Sequence, residues 1–144
     1  MSENIVKIET PLDREAAAAL RIGDRVRISG VMYTARDAAH KRIVDALDRG
    51  EDPPAAFDGQ IIYYVGPTPA KPGEVIGSAG PTTSYRMDAY APRLIEIGLR
   101  GMIGKGARGP AVIDAMKQHG AVYFAAIGGA GAVIARSIKE AEVI

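Results

Sequence analysis

The first clear pattern in the chain is an alternation of apolar and charged positions within residues 24–34. Val26 and Ile28 fall on one face of an extended segment, whereas Arg25 and Arg27 fall on the other. This period of two is typical of a strand with one face buried. We therefore expect a half-buried strand here.

The period changes to that of a helix within residues 34–51. The apolar positions near helical spacing are Ala38, Ile43, Ala46 and Leu47. Thr34, followed by Asp37 three residues later, resembles a capping box at the helix start. Gly50 stands where a helix stop is expected. The pattern therefore predicts a helix that follows the first strand directly.

The rest of the chain continues to alternate between the two patterns. Strands are predicted at 60–66, 101–105 and 121–128, and the last residues, 139–144, begin another. Helices are predicted from about Thr83, where Pro92 must kink the helix or start a new one, at 108–120 with Pro110 in the first turn, and at 129–138. This order predicts an α/β fold with mixed or parallel strand pairing, in one domain over residues 1–144.

Composition and charge exclude several classes of protein. The net charge of +1 over 144 residues provides no basic field for nucleic acid or anionic lipid. No apolar run approaches the roughly 18 residues that span a bilayer, and the N-terminal sequence lacks the pattern of a signal peptide. We expect a cytoplasmic protein.

The chain has no cysteine and only two histidines, His40 and His119. It therefore cannot form disulfides, use a thiol nucleophile, or build an iron–sulfur or zinc site on its own thiolates. A metal site made of imidazoles is also disfavoured. Any metal that this protein uses must be held by another chain or domain.

Two glycine-rich stretches are weak matches to nucleotide-binding motifs. In "GLRGMIGKGAR", Leu99 stands where a P-loop needs its first glycine, and Gly106 stands where Ser or Thr should hold magnesium. "GGAGA" at 128–132 lacks the acidic residue that should follow about twenty positions later. Tight packing of strands against helices is the preferred interpretation of these glycines.

A charged cluster occupies the start of the first long predicted helix. Asp37 suits a capping role, and His40 and Lys41 are expected to be solvated in the first turn. Arg36 fits this picture badly, because a cation there opposes the helix dipole. We infer that Arg36 has an anionic partner.

The segment "GSAGPTTSYRMDAY" at 77–90 carries the most informative cluster. Thr82 or Thr83 could cap the helix that follows, but capping needs only one hydroxyl. The second hydroxyl and Arg86, one helical turn beyond Thr82, would share a face suited to a carboxylate. With Lys105 at a strand end, three cations and a hydroxyl indicate a small polyanionic substrate.

Four segments resemble, in order, the C-terminal (β) part of the iron–sulfur hydro-lyases, a family of class I fumarate hydratases and L(+)-tartrate dehydratase β subunits. The segments are "SGVMYTARDAAHKRI", "YVGPTPAKPGEVIGSAGPTTSYRMDAY", "MIGKGAR" and "AAIGGAGAVIARSI". The resemblance covers about residues 20–144. It implies a swivelling β/β/α domain with a mixed sheet, a partner α subunit that carries a [4Fe–4S] cluster, and an α₂β₂ assembly. The family's β part normally continues beyond the point where this chain ends, so we expect its C-terminal tail to be absent here.

The resemblance also implies roles for individual residues. By their motifs, Arg36, Arg86 and Lys105 would bind substrate carboxylates. Thr82 would be the base at C3 of the substrate, with Thr83 as a second polar contact. Arg86 would also serve the chemistry, because a guanidinium stabilises the charge that develops on a carboxylate when the neighbouring carbon loses its proton.

The expected function is the β subunit of a fumarate hydratase, which interconverts fumarate and (S)-malate and is inactive without its α subunit. An L(+)-tartrate dehydratase β subunit is the nearest alternative. A non-catalytic carboxylate-binding or assembly domain on the same fold is another. His40 belongs to the matching "RDAAH" block, but a structural role is preferred to a minor role in the site.

Overall fold

The computed structural model describes residues 5–65, 72, 73, 75 and 82–126. Its strands are β1 (Ile5–Glu9), β2 (Arg25–Ser29), β3 (Tyr33–Thr34), β4 (Ile61–Tyr63), β5 (Gly101–Gly104) and β6 (Val122–Ala125). Its helices are α1 (Arg14–Ala19), α2 (Asp37–Asp48), α3 (Ala91–Glu96) and α4 (Pro110–His119), with a 3₁₀ helix at Ser84–Met87. None of the helices in these ranges is long and apolar enough to span a membrane.

The strands form two parallel sheets. β3, β4, β5 and β6 lie side by side in chain order, and β1 pairs with β2. Helices connect the successive strands, as parallel pairing requires. The predicted α/β class is confirmed, and every strand pairing among the described residues is parallel.

Side chains on the four-stranded sheet point alternately to two cores. Ile62 and Met102 pack in the core that α2, α3 and α4 cover, and both are fully buried. Ile61 and Ile103 point to the opposite face, where they pack against residues of β1, β2 and α1. The molecule is therefore built in three layers, which are the small sheet, the large sheet and the helices.

The single strand predicted within residues 24–34 is two short strands. Gly30 interrupts it with φ +112°, a conformation that favours glycine. Beside this break, the Thr10 N–H donates to the carbonyl of Ser29 and the Thr10 hydroxyl donates to that of Val31. Thr10 lies in the turn between β1 and α1, two elements that sequence reasoning did not identify.

The predicted capping box of α2 is wrong. Arg36 occupies the N-cap position, and no side chain caps the helix. Thr34 ends β3 and pairs with Tyr63 of β4, so strand pairing places it before the helix start. The predicted stop is confirmed, because α2 ends just before Gly50, which has φ +73°.

Prolines mark two helix starts as expected. Pro92 lies in the first turn of α3, which is a new helix after the 3₁₀ helix, and Pro110 is the first residue of α4. The short strands predicted near 60–66, 101–105 and 121–128 are confirmed as β4, β5 and β6. The helix predicted at 129–138 and the strand from 139 lie outside the described residues.

Residues 82–84, here called the inserted segment, lie between the carboxyl ends of β4 and β5. The Thr82 N–H donates to the carbonyl of Tyr64 at 2.7 Å. The Lys105 N–H donates to the carbonyl of Thr82 at 3.2 Å, and the Ser84 N–H donates to that of Lys105 at 2.9 Å. The inserted segment therefore separates two strands that are directly paired one residue earlier.

Gly104 leaves the space that this insertion requires. A Cβ atom at this position would overlap the Ser84 hydroxyl and lie 2.9 Å from the Tyr64 ring. Ser84 itself is fully buried. The absence of a side chain at Gly104 therefore lets the inserted segment approach β5 closely.

His40 lies in the helix-side core and is fully buried, which contradicts the prediction that it is solvated. Its Nδ1 lies 2.8 Å from the carbonyl oxygen of Arg36 and must donate, since a carbonyl only accepts. Removal from water is the main reason that the pKa of His40 lies below its ordinary value, and Arg108 adds to this effect. The Arg36 carbonyl and the Asp37 carboxylate oppose the shift but do not reverse it. His40 is therefore a neutral core residue at pH 7.

The burial of His40 predicts a stability that depends on pH. Below about pH 6.5 the imidazole of His40 is protonated in the unfolded protein but still neutral in the folded one. The free energy of unfolding therefore falls as the pH decreases, until the pH reaches the lowered pKa. One such proton gives a slope of at most about 1.4 kcal/mol per pH unit. Denaturant unfolding at about pH 7.5 and about pH 5.5 should show this loss in the wild type and less of it in His40→Asn. His119→Asn is the control and should keep the wild-type slope, whereas equal pH dependence in His40→Asn and the wild type would contradict the assignment.

Candidate active site

The residues expected to bind substrate converge on the carboxyl edge of the four-stranded sheet. Arg36 follows β3, and Lys105 directly follows β5. Thr82 and Thr83 belong to the inserted segment, and Thr83 forms a parallel bridge with Lys105. Ligands of parallel α/β sheets usually bind at this edge. The structure therefore gathers onto one edge residues that are up to 69 positions apart in the sequence.

Arg86 is joined to the start of α2 by an ion pair. Its Nη2 donates to Oδ2 of Asp37 at 3.0 Å, and both side chains are nearly half exposed. Asp37 therefore pairs with a residue 49 positions away instead of capping its own helix. An exposed pair of this kind contributes about 0–1 kcal/mol, so a stronger anion can share or displace it.

Arg36 and Lys105 carry exposed side chains beside this pair. Within the described part of the chain, neither side chain forms a hydrogen bond or an ion pair. The anionic partner inferred for Arg36 is thus not supplied by these residues. Three cations and the carboxylate of Asp37 leave two net positive charges among these four side chains, which complements a small dianion.

The two threonine hydroxyls remain available for a ligand. Thr83 occupies the N-cap position of the 3₁₀ helix, but its side chain forms no cap hydrogen bond, and neither does that of Thr82. The capping role expected for one of them is wrong, because Thr83 stands at the N-cap position without a side-chain cap hydrogen bond. Both threonines are half-buried at the sheet edge.

A buried arginine that sequence reasoning missed lies beneath this edge. The side chain of Arg108 is 3% exposed, and its Nε donates to Oδ1 of Asp88 at 2.9 Å. Its guanidinium carbon lies 5.1 Å from the centroids of both the Tyr64 and Tyr123 rings, which is within the range of cation–π contacts. The available signal was the "GKGAR" block, which places Arg108 next to the Lys105 loop.

Tyr64 and His40 complete this buried layer. Their rings meet edge to face with centroids 5.4 Å apart. Burial raises the pKa of Tyr64 to about 12, against the opposing influence of Arg108. Tyr64 therefore stays protonated at neutral pH, and neither ring is exposed at the sheet edge where a substrate would bind.

The described residues do not fit a metal or cluster site. Among residues 5–65 and 82–126, no group of three His, Asp or Glu side chains could hold a metal ion. The sequence also contains no cysteine. The chemistry that these residues support is recognition of carboxylates, with hydroxyl groups nearby.

Comparisons with known proteins agree with this picture. The family model described as "Fumarase C-terminus" matches residues 1–144. The aerobic class I fumarate hydratase of Salmonella typhimurium is 40% identical over 125 residues, which cover 85% of this chain and 22% of that protein. Fumarate hydratase 2 of Leishmania major is 38% identical over 139 residues, which cover 94% of this chain and 24% of that protein.

A third relative is named as a subunit of an enzyme. The L(+)-tartrate dehydratase subunit beta of Escherichia coli is 30% identical over 142 residues, which cover 95% of this chain and 68% of that subunit. The chain thus spans about a quarter of the length of the two fumarate hydratases and about two thirds of the tartrate dehydratase subunit. With the family model matching its whole length, the chain belongs to the fumarase C-terminus family of hydro-lyases.

Proposed function

We propose that this chain is the β component of a fumarate hydratase and that it interconverts fumarate and (S)-malate together with an α subunit that carries a [4Fe–4S] cluster. The observation that supports this most is the insertion of residues 82–84 between β4 and β5. It brings the two threonines next to Lys105, on the edge that also carries Arg36, and Arg86 follows in the 3₁₀ helix, where it pairs with Asp37. The similarity to fumarate hydratases supplies the reaction.

Substrate binding rests on the three cations. Fumarate and malate are dianions at neutral pH, and they match the two net positive charges of Arg36, Arg86, Lys105 and Asp37. A guanidinium can bind a carboxylate through two parallel hydrogen bonds, so the two arginines would orient the substrate as well as attract it. Lys105 would add a compact charge at the end of β5.

The dehydration of malate requires removal of a proton from C3, next to a carboxylate. That carbon is barely acidic while the carboxylate keeps its full charge. Cations that hold the carboxylate stabilise the negative charge that develops on it as the proton leaves. Thr82 would accept the proton, since neighbouring cations favour the ionised form of its hydroxyl. Thr82 would thus transfer the proton, while Arg86 and Lys105 would stabilise the charge that develops.

Loss of the hydroxyl group from C2 would depend on the partner. A cluster would act there as a Lewis acid, and this chain has no cysteine to hold one. The E. coli tartrate dehydratase relative is named as a subunit, which supports a partner chain. We propose an α₂β₂ assembly.

The second candidate function is the β component of an L(+)-tartrate dehydratase. It is favoured by the E. coli relative, which is named as a subunit beta of L(+)-tartrate dehydratase and is 30% identical over 142 residues. The two substrates are both hydroxy dicarboxylates and would use the same cations. Turnover of L(+)-tartrate in place of malate by the assembled enzyme would decide for this candidate.

The proposed function predicts activity only in the assembled enzyme. The chain should co-purify with its cluster-bearing subunit under anaerobic conditions, and fumarate absorbance should appear after (S)-malate is added. Either subunit alone should be inactive. Turnover of malate by this chain alone, or a stable complex that acts on neither malate nor tartrate, would contradict the proposal.

The proposed base predicts different effects at the two threonines. Thr82→Val keeps the side-chain shape but removes the hydroxyl, and kcat should fall by about 10²- to 10⁴-fold, the usual contribution of general acid–base catalysis. Thr82→Ser keeps the hydroxyl and should retain most of the activity. Thr83→Val is the matched control and should lower kcat less than Thr82→Val. A wild-type rate in Thr82→Val would contradict a role as base and favour a domain that only binds carboxylates.

A further inference from the structure

The Tyr123 hydroxyl joins the two backbone segments that carry the candidate site. Tyr123 lies on β6, and its Oη is 2.8 Å from both the Ser84 Oγ and the carbonyl oxygen of Gly106. A carbonyl only accepts, so Tyr123 donates to Gly106, and the Ser84 hydroxyl must then donate to Tyr123. One oxygen atom thus takes part in both hydrogen bonds.

These two hydrogen bonds connect the inserted segment with the loop that follows β5. Ser84 ends the inserted segment, two residues after Thr82, and Gly106 directly follows Lys105. Ser84 is fully buried, and its Oγ lies against Gly104 of β5. The positions of Thr82 and Lys105 relative to each other therefore depend on the Tyr123 hydroxyl as well as on backbone pairing.

The Tyr123 ring is itself supported by a contact with Arg108. The Arg108 guanidinium carbon lies 5.1 Å from its centroid, and Arg108 is fixed by its ion pair with Asp88. The other carboxylate oxygen of Asp88 accepts the N–H of Gly109 at 2.8 Å. A ring supported in this way presents its hydroxyl in a defined place, which is a condition for acting on neighbouring groups.

We propose that Tyr123 is a positioning residue, which fixes the Thr82 hydroxyl relative to the Lys105 ammonium group. This inference rests on the proposed function. A displacement of about 1 Å between reacting groups can cost about 10²-fold in rate, so the loss of the two hydrogen bonds of the Tyr123 hydroxyl should be visible in kcat. Substrate affinity should change less, because Arg36, Arg86 and Lys105 all remain.

The test is Tyr123→Phe in the assembled enzyme. This change removes one oxygen and keeps the ring against Arg108. We expect kcat for (S)-malate, or for L(+)-tartrate if that is the substrate, to fall about 10- to 100-fold while KM changes by less than about 3-fold. Amide hydrogen exchange should become faster in peptides covering residues 82–88 and 103–108, and unchanged in α4.

Two further variants make the result specific. Ser84→Ala removes the other hydroxyl and should lower kcat in the same direction. The double variant should match Tyr123→Phe alone, because Tyr123→Phe already removes the hydrogen bond between Ser84 and Tyr123. Tyr33→Phe is the control. Tyr33 packs against Phe57 with centroids 5.2 Å apart, and its hydroxyl forms no hydrogen bond within the described part of the chain. Its kinetics and exchange should match the wild type.

The outcomes separate this inference from the proposed function. An active wild type in which Tyr123→Phe has unchanged kcat, or in which exchange at residues 82–88 and 103–108 is unchanged, would overturn the positioning role. A wild-type complex that acts on neither substrate would overturn the proposed function and, with it, the catalytic part of this inference. The exchange measurement would still decide whether Tyr123 holds the two segments together. Slower turnover with faster exchange at both peptides would support the inference.

Discussion

The hydrogen bonds that residues 82–84 form with Tyr64 and Lys105 hold β4 and β5 apart at their carboxyl ends. Without this insertion the two strands would continue to pair, and the edge would present backbone where a ligand needs side chains. Gly104 makes room for the insertion, because any side chain at this position would overlap Ser84. The candidate site is thus a consequence of strand pairing that is interrupted at one defined place.

A buried polar layer supports this edge. Arg108 is enclosed between Tyr64 and Tyr123 and is neutralised by Asp88, while His40 fixes the carbonyl of Arg36 at the start of α2. A buried charge is tolerated only when it is paired and hydrogen-bonded, and here the partner is present at 2.9 Å. The layer therefore places a cation under the site without adding net charge to it.

Local signals predicted a large part of the fold. Gly50, Pro92 and Pro110 marked helix boundaries because their backbone preferences act within a few residues. The burial of His40 and the pairing of Arg86 with Asp37, 49 positions away, were not predictable in this way. They depend on which elements pack together, which is a property of the whole fold.

The residues of the candidate site were likewise predicted only in part. Sequence reasoning identified Arg36, Thr82, Arg86 and Lys105 from motifs, and the structure brings them to one sheet edge. It missed Arg108 and Tyr123, whose partners Asp88 and Ser84 lie 20 and 39 positions away. From sequence alone, an arginine in a short loop is expected to be solvated, because its buried partner is not known.

The proposed function requires this edge to bind a dicarboxylate through two parallel hydrogen bonds from the Arg86 guanidinium. The most direct test is the affinity of the assembled enzyme for succinate, an unreactive dicarboxylate, in the wild type, Arg86→Lys and Arg93→Lys. Arg93 is a matched control, because it forms a similarly exposed ion pair with Asp48 at the other end of α2. We expect Arg86→Lys to bind succinate about 10- to 100-fold more weakly, since it keeps the charge but loses the paired hydrogen bonds, and Arg93→Lys to bind it like the wild type. Equal affinity in all three proteins would contradict this role of Arg86.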